Sequence, residues 1–212
     1  MSRRTQRRAM AAWAAHIRET SRYAARELAL TIVDGRSPGM QAYDLGIVLN
    51  DGETAWQQVP ADYWYRSERS WIVQHNSYRG YRSIINEVHQ PCLIPVGMLD
   101  WLITNHRLAA RKPDGQVMSI CWSDIEAITV DLVREIVVFD GADGGDGYHG
   151  ELAGPAVAPI AVAAIATCHG PQVLLDHPAL EQLRVPPPNA PGYGMAIERE
   201  IVERQSEAHM RF

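Results

Sequence analysis

The sequence predicts an α+β protein: an antiparallel β-barrel or sandwich closed by a C-terminal helix, with a helical extension at each end. Three observations predict it. Between about residues 45 and 153, short apolar or alternating runs are separated by turn residues, the texture of antiparallel strands. Residues 155–169 are small and apolar, opened by Pro155 and stopped by Gly170-Pro171. Residues 3–30 hold no Gly or Pro and are rich in Ala and Arg, both good helix formers.

The first helix is basic and amphipathic. At 100° per residue, Met10, Trp13, Ile17, Ala24 and Leu28 fall between about 220° and 280°. Arg3, Arg4, Arg7, Arg8, Arg18, Arg22 and Arg26 occupy the adjacent arc, from about 300° through 0° to 80°. Asp34-Gly35 and Ser37-Pro38-Gly39 end the helix, giving a first unit over 1–34.

Candidate strands follow at 46–49, 55–59, 62–66, 71–74, 81–88, 99–110, 117–122, 126–133, 135–140 and 148–152. Pro113-Asp114-Gly115 is a hairpin turn and Asn50-Asp51-Gly52 a second turn. With the 155–169 helix and a short helical segment at 174–184, these make a β domain over 45–184. Pro159 offers an alternative start for that helix, because proline is tolerated only in a first turn. Pro186-Pro187-Pro188 and Pro191-Gly192 form a stiff linker, and 196–208 a charged helix with Glu200 and Arg204 at helical spacing. These compose the third unit, 185–212.

Composition narrows the class. With 46% apolar residues the chain can build a core. No stretch approaches the ~20 apolar residues of a membrane span, and no secretory-type segment follows the basic N-terminus. A cytoplasmic protein is expected, or one peripheral at the inner face of the membrane. Cys92, Cys121 and Cys168 are far apart, so buried reduced thiols are expected and no close metal-binding pair exists. The formal charge is −5, yet residues 1–30 carry seven arginines against Glu19 and Glu27, leaving −10 on the rest. An anionic partner would therefore meet the basic arm, not the acidic body.

The order of short strands and one closing helix, together with Trp101-Leu-Ile-Thr-Asn-His-Arg107-Leu108, resembles a bacterial pleckstrin-homology-like (GRAM-like) domain. The segment Gly46-Ile-Val-Leu-Asn-Asp-Gly-Glu53 resembles the stretch that precedes the first strand of such domains. Gly154 to Pro171 with His177-Pro178-Ala-Leu180 is similar to uncharacterised actinobacterial proteins of this type. The resemblance implies binding of membranes, lipids or proteins and no catalytic residue. The early basic cluster of phosphoinositide-binding members is not evident, since Glu68 separates Arg66 from Arg69.

Each motif has a plain and a functional reading. The basic helix, through Arg4, Arg7, Arg8, Trp13, Ile17, Arg18, Arg22, Arg26 and Leu28, is either packed on a barrel or second chain with solvated arginines, or a binding device. As a device it suits a protein partner or homodimer, an anionic membrane surface, or nucleic acid. The last has charge but little aromatic interleaving. Trp56, Tyr63, Trp64, Tyr65 and Trp71 are barrel core, or an aromatic rim for a partner. Asp140 and Glu151 have the first-to-twelfth spacing of a calcium loop, but Ala142 and Gly144 lack the oxygens needed between them, so an acidic hairpin loop is expected. Ser70, Ser119 and Ser123 sit in no nucleophile elbow, no Gly-rich phosphate loop exists, and the histidines are scattered. The expectation is a non-enzymatic interaction module with no cofactor, no metal and no small-molecule substrate.

Overall fold

The computed structural model describes residues 3–39, 45–76, 83–141 and 149–183, without the side chains of 68–91 and 149. The predicted 196–208 helix, the Pro-rich linker and residues 142–148 of the acidic loop lie outside them.

Helix α1 spans Arg3–Val33. Strands β1 (Ala55–Asn76), β2 (Ser83–Thr104), β3 (Arg107–Arg111) and β4 (Val117–Cys121) follow as antiparallel neighbours. A 3-10 turn, Trp122–Asp124, leads to β5 (Ile125–Asp131), β6 (Ile136–Gly141) and β7 (His149–Ala153). Helix α2 is Ala158–His169, followed by 3-10 turns at Pro171–Val173 and Pro178–Leu183. The seven strands form one sheet in the order β4-β3-β2-β1-β7-β6-β5.

That order forces curvature. The two edge strands, β4 and β5, are joined by the three residues of Trp122–Asp124. The four peptide steps from Cys121 to Ile125 reach at most about 14 Å. A flat sheet of seven strands would hold its edges roughly 29 Å apart. The sheet therefore curls into a half-barrel. Trp122 sits at the join, its indole Nε1 donating to the Thr104 carbonyl at 2.9 Å and its ring tilted against Phe139.

Helix α2 fills the core. Ile160, Ala161, Val162, Ala163, Ala164 and Ile165 are all fully buried, with Trp101, Leu108, Val137, Phe139 and Leu152 from the strands. Five alanines in α2 let the helix axis approach the sheet closely, and the isoleucines fill the remaining space. The helix is apolar on every side because α1 packs against it as well.

Several expectations change. The separate strands at 55–59, 62–66 and 71–74 are one continuous β1, because Pro60 is accommodated opposite Asp100 without breaking the ladder. The 99–110 run splits at Asn105-His106 into β2 and β3. Residues 46–49 form no ladder. The closing helix starts at Ala158, with Pro159 in its first turn, and within the described part of 174–184 the helical segment is the 3-10 helix Pro178–Leu183. Cys92, Cys121 and Cys168 are free but only half-buried. Among the described residues, no helix is long and apolar enough to cross a membrane.

Candidate interaction surface

Helix α1 is divided along its length. Ser21, Ala25, Leu28 and Ala29, spaced to share one face, are buried. Ala25, Leu28 and Ala29 belong to the main core cluster. On the helical wheel these four span about 280° to 20°, so the docked face straddles the edge between the apolar and cationic arcs. That placement brings three arginines onto the body. Arg18 pairs with Glu135, which sits in the β5–β6 turn at φ 61°. The Arg22 guanidinium donates to the Gln182 side chain and to the Leu132 carbonyl, and Arg26 donates to the Leu183 carbonyl at 3.3 Å. The Glu135 carboxylate raises the Arg18 pKa above its ordinary value. Burial, and then the Arg18 charge, lower that of Arg22.

The first turns are different. Residues 3–13 are exposed throughout, with Met10 at 63% and Trp13 at 57%. Among the described residues no ion pair or hydrogen bond holds Arg4, Arg7 or Arg8. Between Arg3 and Arg18 there are five arginines and no acid. Ile17, at the boundary, is half-buried. Of the nine residues singled out on this helix, Leu28 is spent in the core and Arg18, Arg22 and Arg26 bond to the body. Arg4, Arg7, Arg8 and Trp13 remain presented.

Docking on an apolar patch implies a small role for the surface ion pair. Arg18 is 38% exposed at its side chain, and such pairs contribute about 0–1 kcal/mol. Arg18→Ala is expected to lower stability by less than about 1 kcal/mol in urea unfolding.

The aromatic residues do not form one rim. Tyr63 is buried, its ring edge-on to Trp101 with centroids 5.4 Å apart. Trp56 and Trp64 are half-buried, and Trp56 packs against the core. Tyr65 is 39% exposed. The Trp71 side chain lies outside the described residues.

One cluster was not foreseen as a unit. The Glu53 side chain is completely buried, and its carboxylate accepts from Arg107 Nε (2.8 Å) and Nη2 (3.0 Å), Thr104 Oγ1 (2.8 Å) and the Asn50 amide (2.8 Å). Burial pushes the Glu53 pKa up, but the bonds from Arg107, Asn50 and Thr104 outweigh it and hold the carboxyl below its ordinary value. Arg107 also donates to Ser119 Oγ and the Val48 carbonyl, so all three guanidinium nitrogens are engaged. The clasp fastens the 45–54 segment, which precedes the sheet, to the β2–β3 hairpin. Arg111 does the same further along, donating to the carbonyls of Leu45, Gly46 and Gly115. Gly46 has φ 59°, and a Cβ there would meet the Arg111 guanidinium at 2.8 Å. The turn Asn50-Asp51-Gly52 followed by an acid was the available signal, but nothing in the spacing identified the arginine 54 positions away as its partner.

Beside the clasp lies an open depression of about 520 Å³ bordered by Asn50, His106, Cys121 and Thr167. Burial and the Asp124 charge raise the Cys121 pKa, which keeps the thiol protonated. His169 and His177 stack with centroids 5.9 Å apart, and burial, then His169, lower the His177 pKa. Among the described residues no group of His, Cys, Asp and Glu could hold a metal ion. No family model matches the chain, and no curated protein is significantly similar to it.

Proposed function

We propose that this chain is a non-enzymatic interaction module of pleckstrin-homology-like design, which takes hold of an acidic protein partner through the projecting half of α1. One observation carries the reading: the C-terminal half of the helix is consumed in docking, while the turns before it present a cationic arc beside exposed Met10 and Trp13. A large ring flanked by arginines is the composition of an interface hot spot. The rigid docked half holds the presented half in place, which lowers the ordering cost of binding. The strand order, the closing helix and the Glu53–Arg107 clasp support the pleckstrin-homology-like reading, because the clasp joins the two segments on which that resemblance rests.

A photo-crosslinking amino acid at position 13 tests this in cells. A discrete protein adduct is expected, lost in the Arg4→Glu/Arg7→Glu variant, which keeps the same thermal midpoint because neither side chain touches the body. No adduct, or one indifferent to charge reversal, sinks the reading.

The same residues favour a second reading, docking on an anionic membrane. Met10 and Trp13 would enter the acyl boundary, and each arginine at the headgroups contributes about 1 kcal/mol. Purified protein would then sediment with vesicles containing phosphatidylserine, not with neutral phosphatidylcholine vesicles, and salt would release it. Equal recovery in both supernatants removes this alternative.

A further inference from the structure

The 3-10 helix Pro178–Leu183 helps to hold α1 on the body, and a pair of histidines stands at its start. This turn packs against α1. Its Leu180 and Leu183 are buried in the same cluster as Ala25, Leu28 and Ala29. The Gln182 side chain accepts from Arg22, and the Leu183 carbonyl accepts from Arg26. Loosening the turn therefore withdraws both a polar and an apolar hold on the docked half of α1.

His177 precedes the turn and caps it. Pro178 has no N–H, so the Ala179 amide is the first donor that the turn itself leaves unmet. It donates to His177 Nδ1 at 3.3 Å, while the Leu180 amide donates to the His177 carbonyl at 2.9 Å. An imidazole accepts at Nδ1 only while it is neutral, with its proton on Nε2. A second proton would set an N–H against the N–H of Ala179. His177 is half-buried, and its ring stacks on that of His169, the last residue of α2, with centroids 5.9 Å apart. Two cationic rings at that separation repel. The other titratable groups on the elements packed here are Cys168 of α2, Arg22 and Arg26 of α1, and Asp176 and Glu181 on the segment of His177 itself. Burial, and then the His169 charge, hold the His177 pKa below its ordinary value, so the fold favours the neutral ring.

We propose that His177 is a proton-operated catch: its neutral ring closes the Pro178–Leu183 turn onto α1, and taking up a proton opens the turn and frees the docked half of the helix. The catch is closed above the ordinary imidazole range. It is lost as pH falls through that range towards the folded value. A helix without tertiary packing is marginal in water, so residues 21–29 lose their protection once they leave the body. The proposal concerns how α1 is held and is independent of what its first turns bind.

Hydrogen exchange of the full chain, read by mass spectrometry at about pH 7.5 and about pH 5 and corrected for intrinsic rates, tests it. Protection of the 21–29 amides is expected to fall about three- to tenfold at the lower pH, the size of a lost cap. Val137, Val138 and Phe139 of β6 should keep theirs. His177→Asn supplies an uncharged cap at every pH, so its α1 protection should not change between the two. His169→Gln removes the neighbouring charge and should move the midpoint of release to higher pH. In the unmodified protein, the His177 ring followed by NMR should titrate with the midpoint of the release. Flat protection over 21–29, release that persists in His177→Asn, a midpoint unmoved or lowered by His169→Gln, a ring titration detached from the release, or β6 amides opening in step overturns the proposal.

Discussion

Glu53→Gln lowers the stability of this protein by about 3–5 kcal/mol, the cost of leaving one member of a buried ion pair without its partner. The carboxylate has no exposed surface, and Arg107 is only 14% exposed, so water cannot replace the lost charge. The amide still accepts from some donors but cannot balance the guanidinium. Arg107→Met should cost as much, because it leaves the acid buried and unpaired, while the double variant should cost less than the two single losses together. Urea unfolding of the three variants measures this. Additive single effects would show that the two residues do not act as a pair. The pH dependence has a fixed sign. The Glu53 pKa is lower folded than unfolded, so its contribution is present above the unfolded carboxylate range. It is lost as pH falls through that range towards the folded value, and Glu53→Gln should flatten that part of the acid limb.

Ala25→Glu has the second large effect, and it is local. Ala25 is wholly buried where α1 meets the core. A carboxylate there overfills the seam, and removing it from water costs several kcal/mol. The apolar contact around Ala25, Leu28 and Ala29 is too small to meet that cost, so the helix should leave the body while the sheet persists. Limited trypsin digestion reads this directly. Cleavage after Arg22 and Arg26 should accelerate at least about tenfold, a shift of about 1.4 kcal/mol in the docking equilibrium. Unchanged cleavage would mean that the docked half contributes little to the core.

How far the sequence revealed the molecule depended on the range of the signal. The Pro113-Asp114-Gly115 turn, the breaks after α1 and α2, and the short strands β4 to β7 were legible because their determinants lie within a few residues. The length of β1 was not, because Pro60 ends a strand by local rules and is tolerated only because of how β2 lies alongside it. The amphipathic helix was legible, but its docked face was not. The hydrophobic wheel marked Trp13 and Leu28 as equals, and only the end of the body separates the exposed Trp13 ring from the buried Leu28 side chain. Glu53 and Arg107 stood in motifs quoted separately. Their pairing depends on a strand return over more than fifty positions, which no periodicity encodes.

The split in α1 has a consequence for how such a chain can diverge. If the exposed turns bind as proposed, substitutions among residues 3–13 alter what is held while leaving the core untouched, so they are free to accumulate. Changes across 21–29 must preserve a snug apolar fit and are filtered by stability first. A single helix thus carries a fast-drifting end and a slow one, and new binding preferences can arise without any alteration to the half-barrel.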